Sequence, residues 1–296
     1  MFNFEGEPNF DPEELASAQE AKETLSERLK DFDFDRQKLI FESILKPSSR
    51  TDKNILGKEN VLTHYDAPEI LRDLLEEYKA GAVYSPDTNQ VYIDPDNLKL
   101  KNDVASQLRV FHVLNHEFTH GLSKVECAGF QIANTSGFYK SKNAEGEEGQ
   151  FFELFNEAIT EKIGREVTER YIESDSKRED YEEVLGGIYK TVGYEPFVLF
   201  VDQFVDLISE KTGVSREVVW DGVKNSFLNG EDLFDSEIKE EFESTFHKGL
   251  IEELSEISSK KEAQAILNKM EYGPNTNIFT RLITKLQNKF DRNQNG

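Results

Sequence analysis

The chain has a single cysteine, Cys127, so no disulfide can close within it, and a reducing compartment is expected. Long apolar runs are also missing. A membrane-spanning helix needs about 20 apolar residues, and the longest candidate, PFVLFVDQFVDLI at 196–208, carries two aspartates and reads as a core helix. The start, MFNFEGEPNFDPEE, lacks the basic stretch and apolar run of a secretory leader. Together these absences place the protein in the cytoplasm and away from membranes. Positive charge is scarce: 35 Lys and Arg stand against 58 Asp and Glu, a net charge of −23. Such a surface repels nucleic-acid phosphates and anionic lipid. Its ordinary reading is a solvated acidic exterior, with a mild lean toward basic or unfolded polypeptide.

What is present is a foldable chain of 296 residues with 22 phenylalanines, more large apolar side chains than a disordered chain carries. Residues 12–46 read as helical and amphipathic, with Pro12 suited to a first helical turn. PSSRTDKN at 47–54 reads as a loop. A helix over 67–81 is expected to stop at Gly81. The β-rich runs Ala82–Tyr84 and Gln90–Asp94 flank the turn SPDTN and predict a hairpin, the one clear β signal in the chain. Helical spacing returns over 102–122, with Val104, Leu108, Phe111, Phe118 and Leu122 on one stripe. Residues 123–150 read as a long, mobile loop. Helices then follow to about 290, broken near 193–196, 211–215, 228–236 and 272–277, and no internal repeat is visible.

The stretch FHVLNHEFTHGLS at 111–123 holds three of the five histidines. At helical pitch His116 and His120 project from neighbouring turns on one side, away from the apolar stripe. Two imidazoles so placed can reach one zinc ion at about 2.0–2.1 Å. Glu117 between them is positioned to take a proton from a metal-bound water, which is the chemistry of the H-E-x-x-H pattern. The same five residues also arise by chance on ordinary helices, so a third ligand matters. Glu157, in FNEAITEKI on a second helix, is the candidate. Glu161 lies one turn further and can orient a ligating histidine. The plain alternative for both glutamates is a solvated acidic face in a glutamate-rich chain. His112, one turn before His116, reads as a helix-face neighbour, a fourth ligand or a half-buried residue, with the neighbour preferred. His64 and His247 are isolated and have no assigned role. Cys127 reads as a small buried residue rather than a nucleophile.

H-E-F-T-H followed by N-E-A-I-T-E resembles the gluzincin clan of zinc metallopeptidases, and most closely the minigluzincins and related bacterial proteins. The resemblance is good over about 80–170 and holds only in outline elsewhere. It implies an α+β, zincin-like fold. A helical extension at 1–60 would precede an N-terminal subdomain at 61–125, with a small mixed sheet, an edge hairpin and the active-site helix. A mostly helical subdomain at 126–296 would carry the glutamate ligand. The resemblance further implies one catalytic Zn2+ held by His116, His120 and Glu157, and Glu117 as general base. Glu161 would act as second carboxylate, where the larger family often has Asp, and Asn156 would bind backbone near the cleft. Peptide or unfolded protein would be the substrate. Tyr194 or Tyr139 would supply the oxyanion donor, Tyr194 being preferred because GYEP precedes a strong apolar helix; a plain packing role is open to both. Small gluzincins can be latent, and helices at 12–46 and 278–290 are candidate covers. The alternatives are a catalytically silent or latent zincin-like binding protein and a helical interaction protein with chance motifs.

Overall fold

The structure is a computed structural model that describes residues 11–45, 53–125, 135–138, 140–142, 148–191 and 193–272. Tyr139, Cys127 and the helix expected at 278–290 fall outside the described residues. Helix α1 (Pro12–Leu29) opens with a capping box: Asp11 Oδ1 accepts from the N–H groups of Glu13 and Glu14, and Glu14 reaches back to Asp11 N. The helical stretch expected over 12–46 is present as two helices. The chain turns at Phe32 and Asp33 before α2 (Phe34–Leu45) because Phe32 is buried against Phe111 and Tyr171 and Asp33 N donates to Tyr171 Oη at 2.8 Å. Tertiary contacts win over local helical preference at that corner.

Three strands form a mixed sheet in the order β1 (Val61–Thr63), β3 (Gln90–Ile93), β2 (Ala82–Ser85). The expected hairpin is present as β2 and β3, antiparallel with Tyr84 opposite Val91, while β1 runs parallel to β3. β1 has three residues, too few to show an alternating pattern. Between β1 and β2 lies α3 (Glu69–Tyr78). It ends at Lys79, which takes the left-handed conformation (φ 50°), and not at Gly81 as expected. Gly81 is needed for another reason: a Cβ there would fall 2.2 Å from Leu98 Cδ2. The described part of the stretch expected as a loop contains paired short strands, β4 (Lys124–Val125) with β5 (Thr135–Ser136) and β6 (Lys140–Lys142) with β7 (Glu148–Phe151).

Helix α4 (Val104–Leu122), capped by Asp103 on Ser106 N, packs lengthwise on α5 (Glu153–Glu173). Then come α6 (Arg178–Thr191), α7 (Glu195–Thr212), α8 (Arg216–Leu228), α9 (Ser236–Thr245), α10 (Leu250–Ser255) and α11 (Lys260–Tyr272). The break expected at 211–215 has a clear cause in Gly213 (φ 69°), which ends α7, and Ser215, which caps α8, while the break expected at 272–277 lies outside the described residues from 273 on. One contiguous core joins Leu25 and Phe41 of α1 and α2 to Phe111, Ile163, Phe204 and Met270. The N-terminal helices are part of that core. The architecture is α+β, a small mixed sheet with a predominantly helical remainder. Among the described residues no helix is long and apolar enough to cross a membrane.

Candidate metal centre

Close approach of α4 and α5 makes the site. Gly164 lies directly against the backbone of His116: a Cβ there would sit 3.2 Å from His116 N and 3.3 Å from its Cα. Below the site, buried Asn115 is held by Gln37 of α2 through its Oδ1 and by Thr168 of α5 through its Nδ2. These polar contacts fix the rotation of α4 against α5 inside an otherwise apolar interface.

That rotation brings three side chains to one point. His116 Nε2 lies 3.3 Å from Glu157 Oε2, His120 Nε2 lies 3.2 Å from Glu157 Oε1, and the two imidazole Nε2 atoms are 3.2 Å apart. One atom from each of the three residues falls within a 4.8 Å span, so the group could hold a metal ion. Burial raises the Glu157 carboxyl, but the charge of His120 and the hydrogen bonds from both histidines outweigh it and hold the group well below the usual carboxylate range.

Glu161 forms the layer behind. Its carboxylate can only accept, so His116 Nδ1, 3.1 Å from Glu161 Oε2, is the donor. In the neutral ring this leaves the lone pair on Nε2, facing Glu157 and His120. The other oxygen, Oε1, receives His112 Nε2 at 3.1 Å and Arg165 Nε at 2.8 Å. Arg165 is held in turn by Glu195 and lies over the Tyr189 ring at 4.4 Å. Burial raises the Glu161 carboxyl, and the hydrogen bonds from His112 and His116 more than reverse this, keeping it ionised. His112 is fully buried, contacts Glu161 and Thr168, and is not among the three residues that converge.

The three ligand candidates open onto a cleft of about 930 Å³ between β2, α4, α5 and the start of α7. Glu117 lines it beside the histidines, and its Oε2 accepts the Tyr84 N–H of β2 at 2.7 Å. β2 is the edge of the three-stranded sheet. Tyr194 stacks on the His116 ring, 5.7 Å between centroids and 12° from parallel. Burial, and then the charges of Glu157 and Glu117, push its hydroxyl far above the ordinary tyrosine value. Its carbonyl accepts from Phe197 N and Val198 N, so the first turn of α7 anchors it.

No family model, curated protein or solved structure matches the chain. The site therefore rests on its own geometry.

Asn156 is buried, and its Oδ1 accepts Phe138 N at 2.9 Å, tying the segment between the two motifs to the head of α5. Gly137 beside it has φ 60°, and a Cβ would lie 2.4 Å from Asn156 Oδ1. Neither α1 nor α2, expected as a possible cover, contributes to the cleft lining. Sequence reasoning missed Arg165 and Gly164. Arg165 could have been found by its position one turn after Glu161; Gly164 gave no signal beyond being a glycine inside a helix.

Proposed function

We propose that the chain is a zinc-dependent metallopeptidase of zincin-like architecture, hydrolysing peptide bonds with Glu117 as general base. The observation that carries this reading is the spacing of His116, His120 and Glu157. A tetrahedral zinc with ligands at about 2.0–2.1 Å requires ligand atoms about 3.3–3.4 Å apart; the two imidazole Nε2 atoms lie 3.2 Å apart, each is 3.2–3.3 Å from one of the two Glu157 carboxylate oxygens, and one atom from each residue fits within 4.8 Å. The donor set is also a catalytic one, two imidazoles and one carboxylate with a side left open to the cleft. A zinc ion held there would polarise a scissile carbonyl and lower the pKa of its water to about 7.

The chain's own residues then have distinct tasks. Glu161 holds His116 in the tautomer that presents Nε2. Glu117, tethered through Oε2 to Tyr84 N, keeps Oε1 to take a proton from the attacking water and pass it to the leaving amine. Tyr194, whose hydroxyl stays protonated, donates a hydrogen bond to the developing oxyanion. The edge strand β2 offers backbone groups to an extended peptide laid alongside it.

The test is zinc content and cleavage of casein by wild type, Glu157→Gln and Glu117→Ala. One zinc per chain in wild type, lost in Glu157→Gln, with Glu117→Ala retaining zinc but cutting nothing, supports the reading. A wild type that holds zinc and cuts nothing is a silent or latent zincin-like binder. A wild type that takes up no supplied zinc removes the reading altogether.

A further inference from the structure

The charge of the cleft is not the charge of the chain. Against a net −23, one end of the cleft is lined by Lys79, Lys99 and Arg109 and by no acidic side chain. The carboxylates that line it, Glu117, Glu153, Glu157 and Glu161, all belong to the metal end. Lys79 and Lys99 are exposed, both sit at left-handed turn positions (φ 50° and 51°), and neither has a side-chain partner among the described residues. Glu76 and Glu77, near Lys79 in sequence, lie on the exposed surface of α3 and not in the cleft. Arg109 spends one donor, Nη1, on the Leu98 carbonyl at 2.7 Å; its Nε is buried with no hydrogen-bond partner among the described residues.

Two elements set Arg109 and Lys79 on the same side of the metal centre, and Lys99 follows Leu98, whose carbonyl Arg109 holds. Arg109 precedes His116 by two turns of α4, about 10 Å at 1.5 Å per residue. Lys79 precedes the N-terminal end of β2, and Tyr84 of β2 touches Glu117. An extended peptide advances about 3.3 Å per residue, so Arg109 stands about three residues from the bond at the metal centre. A peptide paired antiparallel with β2 turns its C-terminal side toward them.

We infer that the Lys79–Lys99–Arg109 end of the cleft binds a carboxylate of the peptide substrate about three residues from the cut, so the substrate is acidic there and not basic. This rests on the peptidase reading above. The carboxylate has two possible sources, a free C-terminus or an Asp or Glu side chain. Bidentate capture by Arg109 suits either, with the lysines adding charge.

The experiment uses the full chain supplied with zinc, and matched peptides ending three residues after one scissile bond: free acid, C-terminal amide, and longer peptides with Glu or Gln at that position. Binding is read by anisotropy on labelled peptides, and cleavage as kcat and KM. Wild type is expected to prefer a carboxylate roughly tenfold over its neutral match, through KM and Kd. Lys79→Gln with Lys99→Gln, both at exposed positions, and separately Arg109→Gln, should each reduce that ratio to near one. Preference for the free acid alone assigns the C-terminus; preference for Glu over Gln assigns a side chain. Equal binding of acid and neutral peptides, or a preference that survives all three substitutions, overturns the inference. If no peptide is cut but the binding preference appears and falls with the substitutions, the peptidase reading fails and the carboxylate site stands.

Discussion

Gly164 of α5 and His116 of α4 meet backbone to backbone: a Cβ at Gly164 would lie 3.2 Å from His116 N, so the two main chains would have to part by a few tenths of an ångström. A glycine inside a helix costs about 0.5–1 kcal/mol relative to alanine, so Gly164→Ala would ordinarily stabilise. Here the added methyl meets main-chain atoms that cannot move without moving α4. The expected outcome is no gain in thermal stability and zinc binding weakened by about tenfold, since a shift of α4 separates His116 and His120 from Glu157. A variant that melts higher and binds zinc as before would show that the two helices have slack.

Glu161→Gln tests the layer behind the ligands. The glutamate side chain is fully buried and receives His112, His116 and Arg165. Removing its charge leaves Glu195 as the only carboxylate on Arg165 and turns one of the two acceptor oxygens into an NH2 donor, so His112 and His116 cannot both keep their acceptor. Loss of one partner from a buried ionic group costs roughly 3–5 kcal/mol, and loss of such an orienting carboxylate weakens metal binding about 10–100-fold. Urea unfolding and a zinc-competition titration measure the two effects.

The His116 ring provides a pH signature. Burial lowers its pKa, but the hydrogen bonds it donates to Glu157 and Glu161 raise it well above the ordinary value. In the zinc-free chain the folded pKa thus exceeds the unfolded one of about 6.5. The resulting stability is fully present below the unfolded value and disappears as pH rises through the folded one. Zinc needs the ring deprotonated, so its binding strengthens over the same rise and releases a proton. Melting temperature in EDTA should fall with increasing pH, while zinc affinity increases. Parallel trends in the two would contradict the assignment.

Tyr194→Phe separates the hydroxyl from the ring. Phenylalanine keeps the stacking on His116, so zinc content and fold should be unchanged. Loss of one oxyanion donor lowers kcat by about 10²–10³, with KM little altered. An unchanged kcat would leave Tyr194 a packing residue.

The hairpin, the histidine helix and the glutamate helix were legible because each is a local pattern: a turn between β-rich runs, and carboxylates and imidazoles one turn apart. Strand β1 was not, since three residues cannot display a period. The corner at Phe32 and Asp33 was not, since its cause is Tyr171, far away in sequence. The basic end of the cleft was hidden for the same reason. Lys79, Lys99 and Arg109 come from two turns and a helix, and the net charge of the whole chain points the other way.

By itself the sequence determined which side chains share a helix face, because 3.6 residues per turn set His116 beside His120 and Glu157 beside Glu161. That the two faces meet is the work of tertiary contacts. That depends on a glycine small enough to let the helices touch, a buried asparagine that sets their rotation, and an edge strand whose N–H reaches Glu117. These are contacts between distant segments, and a periodicity read along one segment holds no information about them.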